Sequence, residues 1–534
     1  MPGVDWVERA KKSNDATQII REMLEKSLNE ARIPEFNHGL TELVEDEAYS
    51  HLLDPTPLEL APILLLANEA ITEHPQSLQE TYELIAQHGS PKEVLLAVQD
   101  SLDSLLQEAK ELENDEESTR PTPSQIIWKW LRLIGMYTLA FPRLVPRKRS
   151  APDTATPIIQ HLRNSFGPLG QLVDPNEPVA QELVEACMRL GYALLGWFDA
   201  LGSKADEVAG CKTALEQLLS VAIAECLSDK HTMQDYSDFL YRLRAAGLAF
   251  TPAHSTEPSA KMTIHTRTQS IGAFILYYLS NRGPVRPKGT RQALKKQLSG
   301  LSVALHRPKW RQTALGAIND CVLGLYEEEF LEEDVAAELI PMVSTPASTD
   351  PDSKSRAMLF NLLTRMILKV QPVHAFKFVR DLASEECPYL NMRSSAVGLL
   401  RRLVVRAFSQ DPPSKDDPFA SRLLLEEYKS ILFQSPVLDE KDLEGSKSVD
   451  AQEMNRLVEV LGFFYVLLAR DENNSSGVRD AESIGELKDK LVNPLKKLIS
   501  ELDSAGDDPS LFFSIRSISI SLERIEEIIS GVNG

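Results

Sequence analysis

Apolar residues along this chain return every three or four positions. Val94, Leu95, Val98, Leu102, Leu105 and Leu106 make one such stripe, the mark of an amphipathic helix with one side turned to a core. Isoleucine and valine do not gather into alternating runs, and no Asn-Gly or Asp-Gly turn joins such runs. Hairpins are therefore not expected.

The predicted helix starts share a form. Ser90-Pro91-Lys92-Glu93 offers a capping hydroxyl, a proline at the first helical position and a glutamate at the third. The hydroxyl can accept from a free backbone N–H, and proline has no N–H to leave unpaired. Thr122-Pro123-Ser124-Gln125 and Asp174-Pro175-Asn176-Glu177 repeat the pattern. Asp54-Pro55, Asp350-Pro351, Asp417-Pro418 and Asp508-Pro509 are partial versions. About twenty helices of roughly 12–25 residues follow, joined by turns short enough to make neighbours antiparallel.

Two segments are apolar nearly all round. Ser124 to Leu139 carries only Lys129 and Arg132 as charges, and Gly462 to Leu468 carries none. Such helices belong between layers. The expected fold is all-α, a HEAT/armadillo-like α-solenoid of degenerate antiparallel helix pairs; two irregular helical bundles are the alternative. Polar stretches at 251–264 and 409–450 break the period. They suggest an N-terminal helical repeat region at 1–250, a middle one at 265–408 and a C-terminal helical region at 419–534.

Composition narrows the function. The 534 residues hold 78 acidic and 57 basic side chains, a formal net charge of -21. Such a surface repels nucleic acids and anionic membranes and favours basic partners. The first 30 residues hold no apolar run of the signal-peptide kind, and no apolar run approaches ~20 residues. The five cysteines, Cys187, Cys211, Cys226, Cys321 and Cys387, form no CxxC. A reducing compartment is expected, the cytoplasm first. Arg147-Lys148-Arg149 leaves the nucleus open as a weak import signal.

Catalytic motifs do not emerge. The ten histidines are never nearer than 11 residues to one another, and no GxGxxG, GxSxG or Walker A sequence occurs. Gly210-Cys211-Lys212-Thr213 resembles only the end of a phosphate-binding loop and lacks its upstream glycine. No enzyme, cofactor, metal or small-molecule substrate is expected. Cys187, Cys226 and Cys321 each sit on an apolar stripe and are expected in the core.

The unusual feature is a basic island. Arg282, Arg286, Lys288, Arg291, Lys295, Lys296, Arg307, Lys309 and Arg311 follow one another without an acidic residue, and Trp310 lies among them. One reading is a docking patch for an acidic protein segment, with Trp310 as an anchor. The other is a solvated face paired with the acidic run Glu327, Glu328, Glu329, Glu332, Glu333 and Asp334.

Glu83-Leu84-Ile85 followed by Gly89-Ser90-Pro91-Lys92-Glu93-Val94 resembles a segment of the family that joins fungal YAP-binding proteins, glomulin and a plant lateral-root protein. Leu58 to Leu65 stands where that family has a leucine-rich helix, and Arg422 to Lys429 looks like a later family helix. Ala48-Tyr49 stands where the family has a tryptophan, as a divergent fungal branch would. The resemblance implies a HEAT-like solenoid that acts as an adaptor or mask. It points first to a YAP-binding-type cofactor of a bZIP factor in the oxidative-stress response. The alternatives it implies are a glomulin-like mask on the RING subunit of a cullin ligase, or a scaffold bound to kinetochore subunits.

Overall fold

Thr122 closes the start of its helix as the sequence requires. Its hydroxyl accepts from the Gln125 N–H at 3.3 Å, and the Gln125 side chain accepts from the Thr122 N–H at 2.9 Å. In the computed structural model this box opens the helix Pro123–Ala140. The structure describes residues 5–112, 121–229, 237–250, 263–280, 290–325, 329–409, 414, 416–434, 438–439, 448–449, 451–505 and 509–532. Helix accounts for 81% of the chain. Two strands of two residues, Leu438–Asp439 and Ser448–Val449, pair antiparallel. No helix among the described residues is long and apolar enough to cross a membrane.

Several predicted helix starts move, Asp54-Pro55 among them, where the helix begins only at Pro57. Asp174 spends its carboxylate on the Asn176 backbone and side chain, at 2.9 and 2.8 Å, and makes a turn instead of a cap. The helix begins only at Pro178. At Asp350-Pro351 the cap is likewise passed on, to Asp352, which accepts from Ser355 N–H at 2.9 Å. Asp417 closes a single 3₁₀ turn, Pro418–Ala420.

The chain divides into two units, Met1–Ala317 and Ile318–Gly534, and the division falls within the helix Arg311–Gly324. Of the polar stretches expected as boundaries, residues 251–262 and parts of 409–450 lie outside the described residues.

The first unit is built from two rows. Pro75–His88, Pro123–Ala140, Pro178–Ala200 and Ser237–Ala245 pack on one another in that order. Pro91–Leu112, Ala151–Gly170, Ala205–Cys226 and Ile264–Ser280 form the second row in the same way. The rows meet through Pro91–Leu112 on Pro123–Ala140 and Pro178–Ala200 on Ala205–Cys226. Within these rows a helix touches its chain neighbour in the other row and the next but one in its own. Such a two-layer stack needs helices with more than one apolar face.

Pro123–Ala140 shows why its sequence is so apolar. Ile126, Ile127, Trp130, Leu131, Leu133, Ile134, Met136 and Tyr137 are all buried, each worth about 1.5–3 kcal/mol relative to exposure. Lys129 is buried with them, 1% exposed, and its ammonium meets Glu108 of the other row at 3.3 Å. Burial pulls the Lys129 pKa below its usual value, and Glu108 opposes that shift.

In the second unit Glu333–Thr349 packs on Ser353–Leu368 and on Leu390–Ala407. Leu390–Ala407 packs in turn on Ala451–Arg470, and that helix on Pro509–Val532. Phe463, Phe464, Leu467 and Leu468 are buried in Ala451–Arg470, as the apolar run predicts. Ion pairs join the helices: Arg401 to Glu459 at 3.2 Å, Arg380 to Glu427 at 2.6 Å and Lys429 to Glu486 at 2.6 Å. The Tyr428 hydroxyl donates to the Phe376 carbonyl at 2.7 Å.

Cys187, Cys211, Cys226 and Cys387 are buried, and Cys321 is half-buried. Burial raises the Cys187 thiol to about 12 and Cys211 and Cys321 to about 11. The Gly210–Thr213 segment lies inside the helix Ala205–Cys226, so its backbone N–H groups are not gathered into a loop.

Candidate functional site

Arg282, Arg286 and Lys288 of the basic island lie outside the described residues, as does the Arg291 side chain. So do Glu327 and Glu328 of the acidic run. Lys295 and Lys296 are exposed on the helix Thr290–Leu305, and Arg307 is exposed in the turn that follows.

The rest of the island is turned inward. Trp310 is 2% exposed, and its indole N–H donates to the Ala224 carbonyl at 3.2 Å. An anchor for another protein has to be exposed, so Trp310 anchors its own chain. Lys309 donates to the Glu225 carbonyl at 3.0 Å and lies 3.8 Å from the Glu225 carboxylate. Burial lowers the Lys309 pKa, and Glu225 partly restores it. Arg311 donates to the Leu305 carbonyl at 3.3 Å.

Asp229 completes this knot. Its N–H donates to the Lys309 carbonyl at 2.8 Å. Its carboxylate accepts from the Gln312 and Thr313 N–H groups, each at 2.9 Å, and from the Thr313 hydroxyl. The helix Arg311–Gly324 is thus capped by a residue over 80 positions earlier, where sequence reading sees no cap.

A second site went unseen in the sequence. A groove of about 530 Å³ opens where Pro75–His88, Pro123–Ala140 and Pro178–Ala200 lie side by side. Tyr82 and Arg132 form its floor. Tyr82 is 1% exposed, yet its hydroxyl has no hydrogen-bond partner, and neither has the buried Arg132 Nε. Unpaired buried polar atoms cost roughly 1–3 kcal/mol each, and native proteins keep few of them.

Trp128 holds both residues. The Arg132 guanidinium stacks over the Trp128 ring at 4.6 Å, and Tyr82 meets that ring edge-on at 6.1 Å. Burial lowers the Arg132 pKa, opposed by Glu182 and Glu83, and raises the Tyr82 phenol well above its usual value. Glu83, Glu182 and Glu185 line the walls with Arg189. Gly135 lies on the same helix face, and a Cβ built on it would meet nothing within 4 Å.

The groove continues. Thr138 and Arg189 also line a hollow of about 330 Å³ with Tyr192, Ala193, Arg242 and Leu243. The two hollows together cross four successive helices of one row. Among the described residues no group of three or more His, Cys, Asp or Glu is arranged to hold a metal ion. The arrangement offers hydrogen-bond donors, carboxylates and apolar wall to something that lies along it.

A family model labelled Kinetochor_Ybp2, described as "Uncharacterised protein family, YAP/Alf4/glomulin", matches residues 292–514. Over that stretch, somewhat under half of its length, the chain is similar to this family. The family match takes in the Trp310 turn and the helix Leu423–Leu432, where the segment Arg422 to Lys429 lies, and it leaves the groove outside. No curated protein matches the chain. Four chains of solved structures match. One comes from work on a phosphorylation switch in the interaction between cadherin and beta-catenin. It aligns at 12% identity over 97% of this chain and 100% of that one, with a TM-score of 0.23, too low to bear on the fold.

Proposed function

We propose that this chain is a non-enzymatic helical adaptor that binds other proteins, and that it serves as a YAP-binding-type cofactor in the oxidative-stress response. The observation that carries the adaptor reading is the continuous groove across four helices of one row. A surface of that length suits a polypeptide better than a compact metabolite. The most perturbed groups support the same reading. Burial moves Tyr82, Tyr137, Cys187 and Cys226 towards their neutral forms, which suits packing and not nucleophilic or acid–base work. The finer stress role rests on the family match at 292–514 and on the resemblance around Glu83 to Val94.

The exposed Lys295, Lys296 and Arg307 keep a place in this proposal as a patch that steers an acidic segment of a partner. We assign the chain to the cytoplasm, with access to the nucleus through the exposed Arg147–Lys148–Arg149. A kinetochore role is the second reading, favoured by the label of the family model.

Affinity purification from peroxide-treated and untreated cells, followed by mass spectrometry, tests the proposal. A bZIP transcription factor enriched by peroxide is the expected result. Kinetochore subunits or a cullin–RING complex in its place would overturn the stress reading and keep the adaptor. An empty purification under both conditions would overturn the adaptor reading itself.

A further inference from the structure

We propose that the groove floored by Tyr82 and Arg132 binds an extended basic segment of a partner protein, whose backbone carbonyl accepts from the Tyr82 hydroxyl and Arg132 Nε. The inference rests on the adaptor reading and names the chemistry of one docking site.

The two donors fix the first feature of the occupant. Tyr82 Oη and Arg132 Nε are both buried, on two residues that each pack against Trp128, and have no acceptor. A neutral carbonyl oxygen can accept from both. A carboxylate or phosphate would have to approach Glu83, Glu182 and Glu185, which outnumber Arg132 and Arg189 on the walls. Arg189 is already engaged in part, 3.8 Å from Glu185. Those carboxylates instead favour a lysine or arginine next to the bound carbonyl, in keeping with the chain's net charge of -21.

Gly135 fixes the second feature. Glycine inside a helix costs about 0.5–1 kcal/mol relative to alanine, and no neighbour forbids a Cβ at this position. A peptide backbone lying close against the helix accounts for the missing side chain, because a Cβ would hold it off. Geometry fixes the third feature. Packed helix axes lie about 8–10 Å apart, so four helices span roughly 25–30 Å. An extended chain of about eight residues covers that length. Its far end reaches the hollow of Tyr192, Ala193 and Leu243, which suits an apolar side chain.

The experiment uses the full chain and an immobilised library of N-acetylated, C-amidated nonapeptides. One half of the library carries a fixed arginine or lysine and the other a fixed glutamate, all other positions being varied. The best peptide is then labelled, and its affinity is measured by fluorescence polarisation on the wild type, Tyr82→Phe and Gly135→Ala. Both substitutions leave the apolar packing in place, and circular dichroism melts confirm that each variant folds. The expected result is enrichment of basic over acidic peptides, with affinity falling about tenfold in Tyr82→Phe and also in Gly135→Ala. Salt should weaken binding to the wild type.

No capture by the wild type, a preference for acidic peptides, or equal affinity in all three proteins would each overturn the groove proposal. Cellular partners purified equally well by wild type and Tyr82→Phe would also overturn it while leaving the adaptor reading in force.

Discussion

The turn at Trp310 and the groove at Tyr82 each set a buried aromatic residue beside basic side chains and carboxylates, and they differ in what the buried polar atoms bond. At Trp310 the indole and the lysine both find acceptors, Ala224 and Glu225, and Asp229 takes three donors. At Tyr82 a phenol and a guanidinium nitrogen are just as buried and find none. Clustered charge therefore does not mark a docking site by itself. In the docking proposal, what separates the structural pin from the receptor is that polar atoms lining an open groove are left unsatisfied.

The largest test of that contrast is Trp310→Ala. Removing a fully buried aromatic side chain should cost about 3–5 kcal/mol in urea unfolding. A loss below about 1 kcal/mol would mean that Trp310 is not a pin. The same contrast runs along one helix, where Lys129 is paired and Arg132 Nε is not. Glu108→Gln leaves the Lys129 ammonium buried without its counter-charge and should cost about 3 kcal/mol near pH 7. Burial already lowers the Lys129 pKa, and loss of Glu108 lowers it further. The deficit against wild type should therefore shrink as pH rises towards 10 and the lysine sheds its proton. A deficit constant from pH 6 to 10 would show that the charge of Lys129 does not cause it.

Asp229→Ala removes the distant cap and should cost about 1–2 kcal/mol, read in the same unfolding experiment. The smallest effect belongs to the groove. Tyr82→Phe deletes a hydroxyl that has nothing to bond to, so stability should hold or rise by up to about 1 kcal/mol. A clear loss would mean that the hydroxyl is satisfied in the free protein, and the comparison would fail.

The helices were legible because their signals are local. Thr122 and Gln125 stand three residues apart, and the apolar faces of Pro123–Ala140 and Ala451–Arg470 follow from spacing alone. Asp174-Pro175 misled because the same side chain can cap a helix or close a turn, and only the path of the chain decides. Trp310 was open to misreading because its acceptor lies 86 residues away. The groove left one signal that was available. Arg132 is one of two charges in an otherwise apolar segment, and such a charge needs either a partner or an opening. Tyr82 gave none, since a tyrosine on an apolar stripe reads as ordinary core.

The two-row packing of the first unit bears on how the protein can change over generations. Between the two rows and along each of them a helix rests on helices one and two places along its chain, so most of this packing is between near neighbours. Arrays with this property behave as nearest-neighbour lattices, and harm to one rung stays close to it. Deleting or duplicating a whole pair leaves the distant rungs in register. Length can thus drift while the local rules persist, and a recognisable segment can survive in one stretch after the rest has diverged.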